Sequence, residues 1–144
     1  MNTLVIDASV AAKWFLPPAG ETLAGEALEL LKSYASGRLQ FLVPDLFWAE
    51  IANIFWKAAR QGRWSRSIGE SAVRAVRERK IPTVPTITLL DDAFSIATTF
   101  DRTIYDSLYV ALAIASKTYL VTADERLANT LAAHLPVKWL GSVT

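Results

Sequence analysis

The sequence predicts an α/β domain: a mostly parallel sheet with helices on both faces. Three observations carry this. Short β-rich runs alternate with helical periodicities along the whole chain. The connections between runs are long enough for the crossovers that parallel neighbours require. Acidic residues recur directly after predicted strands, beyond whose carboxyl ends such sheets bind ligands.

The first run, Leu4-Val5-Ile6, ends at Asp7, and Ser9 to Leu16 has helical apolar spacing that stops at Pro17-Pro18. Glu21 to Ser36 repeats apolar residues at Leu23, Ala27, Leu30, Leu31 and Tyr34, an amphipathic helix ended near Gly37. Phe41-Leu42-Val43 is the second strand. Pro44-Asp45 marks its exit and the N-cap of a long helix, Leu46 to Gln61, closed by Gly62. Arg66 to Lys80 reads as a basic helix, and Thr83-Val84 as a brief third strand. A helix starting near Asp91 or Asp92 runs to Phe100. The next, Asp106 to Ser116, is apolar on nearly every face and is expected to be buried. Tyr119 to Thr122 is a strand, Asp124 to Ala133 a helix, and Val137-Lys138-Trp139 a last strand.

With 144 residues, 52% of them hydrophobic, the chain suits one domain spanning 1–144. A net charge of +1 leaves any polyanion partner to be argued from the distribution of charge. The lack of cysteine excludes disulfides, thiolate zinc sites and cysteine nucleophiles. The N-terminus has no basic region before its apolar run, and Asp7 interrupts that run, so the expectation is a cytoplasmic protein. The longest apolar stretch, Leu108 to Ala115, is far below the roughly 20 residues that span a bilayer.

Four acids stand in suggestive places, each with an ordinary alternative. Asp7 follows a strand and precedes a helix it would cap; Asp106 heads the apolar helix and would cap that. Thr122-Ala123-Asp124-Glu125 fits a capping box with Thr122 as the cap. Glu50 lies on a helix covered by Leu46, Phe47, Trp48, Ile51, Ile54, Phe55 and Trp56. Its one polar stripe is Glu50, Asn53 and Lys57, which reads as a solvated edge or as a wall facing a cleft. If the four converge at one sheet edge, their carboxylates repel one another unless a cation offsets the charge. Oxygen ligands without cysteine, and with His134 the sole histidine, select magnesium or manganese over zinc.

Four segments carry a resemblance. They are Val5-Ile6-Asp7-Ala8-Ser9-Val10 with Lys13-Trp14-Phe15-Leu16; Pro44 to Asn53; Thr103 to Ala113; and Leu120 to Leu127. In this order they resemble PIN-domain nucleases, and among them the VapC-like toxins of prokaryotic toxin–antitoxin pairs. The resemblance implies a three-layer α/β/α fold around a central, mostly parallel sheet of about five strands. It implies an endoribonuclease that hydrolyses RNA phosphodiesters with one or two Mg²⁺ or Mn²⁺ ions held by Asp7, Glu50, Asp106 and Asp124. Ser9 and Thr122 match supporting hydroxyls, and Asn53 a polar neighbour. Ser107 departs from the alanine many relatives carry. Self-association into a homodimer and capture by an antitoxin protein are also implied.

Lys57 to Lys80 is a locally basic segment, in which Arg60, Arg63 and Arg66 are candidates for contacting the substrate backbone and Trp64 for stacking on a base. Five tryptophans, with Trp48, Phe55 and Trp56 on one helix, exceed what an inner face requires and suggest a protein interface. The competing reading is a catalytically inactive PIN-like module that binds RNA or protein without cutting. An aspartate-nucleophile phosphohydrolase is disfavoured because Ser9 stands where a second aspartate is usual, and no G-x-G-x-x-G follows the first strand.

Overall fold

The computed structural model describes residues 2–143. Its strands are β1 (Asn2–Ile6), β2 (Leu39–Pro44), β3 (Thr83–Val84), β4 (Leu120–Thr122) and β5 (Val137–Trp139). Its helices are α1 (Ala8–Ala12), α2 (Ala24–Ala35), α3 (Leu46–Arg60), α4 (Arg66–Glu78), α5 (Leu90–Phe100), α6 (Ile104–Ala115) and α7 (Glu125–Leu131). Two 3₁₀ turns, Thr86–Leu89 and Leu140–Ser142, complete the described elements. Among them, no helix is long and apolar enough to cross a membrane.

The five strands are parallel in the order β3-β2-β1-β4-β5. From β1 the chain steps outward to β2 and β3, then returns across the sheet to β4 and β5. Right-handed crossovers run in opposite senses in these two stages, so the α3–α4 and α5–α6 connections lie on opposite faces. This is the three-layer α/β/α fold. The order reverses between β1 and β4, and the gap above their carboxyl ends is the place where such sheets hold ligands. Register puts Val5 beside Leu120 and Ile6 beside Val121. The Asp7 amide continues the ladder by donating to the Val121 carbonyl at 3.2 Å.

Central strands buried on both faces read as continuous apolar runs, as in Val5-Ile6 and Leu120-Val121, all fully buried. Phe41 of β2 is sandwiched between Tyr34, at a ring distance of 4.6 Å, and Trp14, at 5.5 Å. These stacked pairs fix α1 and α2 over the sheet. Helix α6 packs on β1, β2 and β4 and is buried over most of its length, as its all-round apolar sequence demands.

Several boundaries differ from the sequence reading for local reasons. Helix α1 stops at Ala12, and Lys13 to Leu16 form tight turns in which Trp14 and Phe15 point into the core. The second helix begins at Ala24, after Leu23 in a left-handed conformation; Glu21 lies outside it and is held in ion pairs. Helix α6 starts at Ile104, where Thr103 caps it by accepting from the Asp106 amide at 3.0 Å. Asp106 is therefore in the first turn and is not the cap. Asp45 precedes α3 without a side-chain cap bond, because its carboxylate accepts from the Thr86 amide instead. Gly62, at φ +74°, makes the turn between α3 and α4, where a side chain would be strained.

The tryptophans are mostly spent inside the molecule. Trp14 donates to the Ala27 carbonyl, Trp48 to the Thr83 hydroxyl and Trp64 to the Phe55 carbonyl. Phe55 is buried. Trp64 packs edge-on against Phe55 at 5.3 Å, with Gly69 of α4 leaving room for its indole. Its expected role as a free stacking platform is thus corrected. Of the aromatic residues assigned to an interface, Trp56 remains exposed, at 54%.

Candidate active site

At the reversal point a cavity of about 260 Å³ is walled by Asp7, Glu50, Asp106 and Asp124 together. Each comes from a different element. Asp7 ends β1, Glu50 projects from α3, Asp106 lies in the first turn of α6, and Asp124 follows β4. Asn53 and Tyr109 line the same space, so the polar stripe of α3 faces a cleft at its N-terminal part.

Asp7 and Asp124 each combine a capping bond with a place in the cavity wall. Asp7 accepts from the Ser9 amide at 2.9 Å and from the Ser9 hydroxyl. Asp124 accepts from the Leu127 amide at 3.1 Å and is the true N-cap of α7. The expected capping box therefore shifts: Thr122 ends the strand fully buried, and its hydroxyl accepts from the Asp124 amide at 3.1 Å. Ser9 is a tie between the two strand ends, since its oxygen also accepts from the Ala123 amide at 3.2 Å.

Electrostatics separate Asp7 and Glu50 from surface acids. Burial pushes Asp7 up to about 6, although the Ser9 and Thr122 hydrogen bonds draw it back and the Glu50 charge adds to the rise. Glu50 is raised as well, first by burial, with the Tyr109 hydrogen bond opposing and the Asp106 charge reinforcing. Among the described residues no lysine or arginine lines the cavity; Arg102, in the link between α5 and α6, pairs with Asp106 at 3.5 Å. Among the described residues no three Asp, Glu, His or Cys side chains are gathered closely enough to form a preassembled metal cluster. The acids share one opening without being drawn together.

Tyr109 is the residue that sequence reading passed over. It is 3% exposed, and its hydroxyl donates to Glu50 Oε1 at 2.6 Å within the wall of the cleft. Burial, with the Glu50 charge second, pushes the phenol well above its usual range, so it stays a donor. The available signal is its spacing: a polar-tipped residue three positions after Asp106, on the same face of a mostly apolar helix.

The basic candidates are dispersed. Arg63 pairs with Glu21 at 2.9 Å and donates to the Pro17 and Ala19 carbonyls. Arg66 pairs with Glu70 at 3.0 Å, and Arg60 lies over the Trp56 ring at 5.9 Å. Neither Arg60 nor Arg66 lines the acidic cavity.

A doubly wound sheet with an acid-walled cleft at its switch point is the architecture found here, and sequence comparison gives it a family. The PIN domain matches residues 4–131, and the chain belongs to the PIN-domain family. Within it the chain is similar to Ribonuclease VapC9 of Mycobacterium tuberculosis, at 33% identity over 134 residues, covering 93% of this chain and 95% of that one. The solved structure of PAE2754 from Pyrobaculum aerophilum has a TM-score of 0.68 at 21% identity, covering 97% of this chain and 90% of that one. A toxin–antitoxin complex from Klebsiella pneumoniae gives 0.60 at 14% identity, covering 94% and 95%. At these identities the two structures speak for the fold alone.

Proposed function

We propose that this protein is a metal-dependent endoribonuclease, the toxin of a toxin–antitoxin pair. The observation that carries the reading is the placement of Asp7, Glu50, Asp106 and Asp124 in the wall of one cavity with no cation among its lining residues. The relationship to a VapC ribonuclease over nearly its full length supports RNA as the substrate.

The donor set fits magnesium or manganese: hard carboxylate oxygens, with a hydroxyl behind them and neither histidine nor cysteine in the wall. Asp7, Asp106 and Asp124 would hold one or two such ions, with Glu50 as a further ligand or as the group orienting the attacking water. A bound ion would supply a lowered water pKa and charge withdrawal from the scissile phosphate. The chain's own residues do the positioning. Ser9 and Thr122 fix Asp7 and the Asp124 loop, and Tyr109 holds one oxygen of Glu50, leaving the other without a hydrogen-bond partner among the described residues. No side chain forms a covalent intermediate in this scheme. Asn53, exposed beside Glu50, is placed to contact substrate, whereas Arg60 and Arg66 would meet RNA only as charges on the outer face.

An antitoxin partner and a homodimer belong to the same reading. Ile87 of the 3₁₀ turn and Leu90 and Phe94 of α5 present exposed apolar side chains, and a second copy of the chain would cover them; sedimentation velocity reads the resulting mass. A cytoplasmic location is in keeping with the lack of cysteine.

The test is cleavage by protein purified without any partner. Structured and single-stranded RNAs are expected to be cut with Mg²⁺ or Mn²⁺ and left whole with chelator. Metal-independent binding without product would replace this reading with that of a scaffold.

A further inference from the structure

A second cavity, of about 280 Å³, adjoins the acidic one and shares Ser9 and Ile54 with it. Its charge is inverted. Lys13, Lys57 and Arg63 line it, against Glu21 as its one acid. The polar stripe of α3 runs from one cavity to the other: Glu50 and Asn53 face the first, Lys57 the second.

Glu21 lies between two of the cations, with Lys13 Nζ at 3.1 Å from one oxygen and Arg63 Nη2 at 2.9 Å from the other. The Lys13 and Glu21 side chains are 9% and 12% exposed, so this pair is held in a largely dry setting, with the Arg63 side chain more open at 27%. An ammonium has three donors, and the Glu21 bond is the one Lys13 makes among the described residues. Lys57 is exposed and has no ion-pair partner among the described residues. One carboxylate against three cations leaves this pocket positive beside a strongly negative one.

A nucleic-acid strand with one phosphate at the acidic cavity must place its neighbouring phosphates elsewhere, because carboxylates repel them. We propose that the basic pocket is a backbone-phosphate subsite for single-stranded RNA leaving the acidic cavity. Lys57 and Lys13 are its contacts, and Glu21 is a counter-charge that fixes Lys13 and Arg63 and weakens the subsite. This rests on the ribonuclease reading and adds to it the side on which the substrate extends. Two adjoining concave pockets, the second of them basic, suit successive nucleotides of an open, flexible strand.

The experiment measures binding of a fluorescent single-stranded oligoribonucleotide of about 12 nucleotides in chelator, across a salt series. Lys57→Gln is expected to weaken binding and to make the dependence of log K on log salt shallower by about 0.7, the loss of one phosphate contact to a single strand. Glu21→Gln is expected to do the opposite, tightening binding and steepening the slope by a similar amount. A purely structural ion-pair trio would give Glu21→Gln a lower melting temperature with no gain in binding, and that result, or an unchanged slope in Lys57→Gln, overturns the proposal. Should Glu21→Gln fail to fold, Lys57→Gln decides alone. Wild-type cleavage in Mg²⁺, assayed alongside, separates the two ideas. Cleavage with unchanged slopes removes the subsite and keeps the nuclease; altered slopes without cleavage keep an RNA subsite and remove the nuclease.

Discussion

Replacing Asp7 with asparagine is expected to lower metal-dependent RNA cleavage by orders of magnitude while raising the melting temperature of the metal-free protein. Both effects follow from one placement. The side chain sits between the Ser9 amide and hydroxyl and the buried Thr122, and an amide oxygen can accept the same bonds. What asparagine removes is the negative charge. In the metal-free protein that charge is a cost, since burial raises Asp7 from 3.8 to about 6, equivalent to about 3 kcal/mol once the group is ionised. The expected gain in Tm is a few degrees, less than the full equivalent because the asparagine amide group also needs a hydrogen-bond partner in the site. Single-turnover cleavage and thermal melting at pH 8 read the two effects. Unchanged turnover in Asp7→Asn would remove Asp7 from the mechanism.

The metal-free wild-type protein is expected to lose stability as pH rises from about 4 to about 6, and to level off above that. The sign follows from proton counting. Between the unfolded value of 3.8 and the folded value of about 6, folded Asp7 keeps its proton while unfolded Asp7 has lost it. The native state therefore binds more protons in this window, and stability falls with pH. Glu50, raised in the same direction, adds to the fall. Urea unfolding in chelator across pH 4 to 8 measures it, with Asp7→Asn giving a visibly flatter profile. A wild-type profile that climbs through this window would contradict the burial assigned to Asp7.

Much of this architecture is legible in the sequence because the determining forces are local. Leu4-Val5-Ile6 and Leu120-Val121 are apolar without alternation, as strands buried on both faces must be; Asp7 follows the first at once and Asp124 the second within three residues. The helix around Glu50 reveals its cleft through the narrowness of its polar stripe. The early end of α1 was less legible, since Trp14 and Phe15 continue a helical apolar pattern yet are used as turn-borne wedges against Phe41 and Phe55. Thr122 and Asp124 both satisfy the composition of a cap, and only the length of the strand decides between them. The same holds for Thr103 and Asp106. Trp64 looked available because its basic surroundings suggested solvent; its bond to the Phe55 carbonyl crosses the hairpin between α3 and α4, which no short-range pattern encodes. The Tyr109–Glu50 bond joins residues 59 positions apart, across two layers of the fold, and only the assembled sheet brings them together.

Calorimetric titration with Mn²⁺ near pH 6, in two buffers of different ionisation enthalpy, tests the central claim most directly: divalent-ion binding relieves the repulsion among the cavity's carboxylates. Wild-type protein is expected to bind the ion and to release protons as Asp7 ionises, whereas Asp7→Asn binds far more weakly and without that release. Equal Mn²⁺ binding by the two proteins, or none by the wild type, would contradict it.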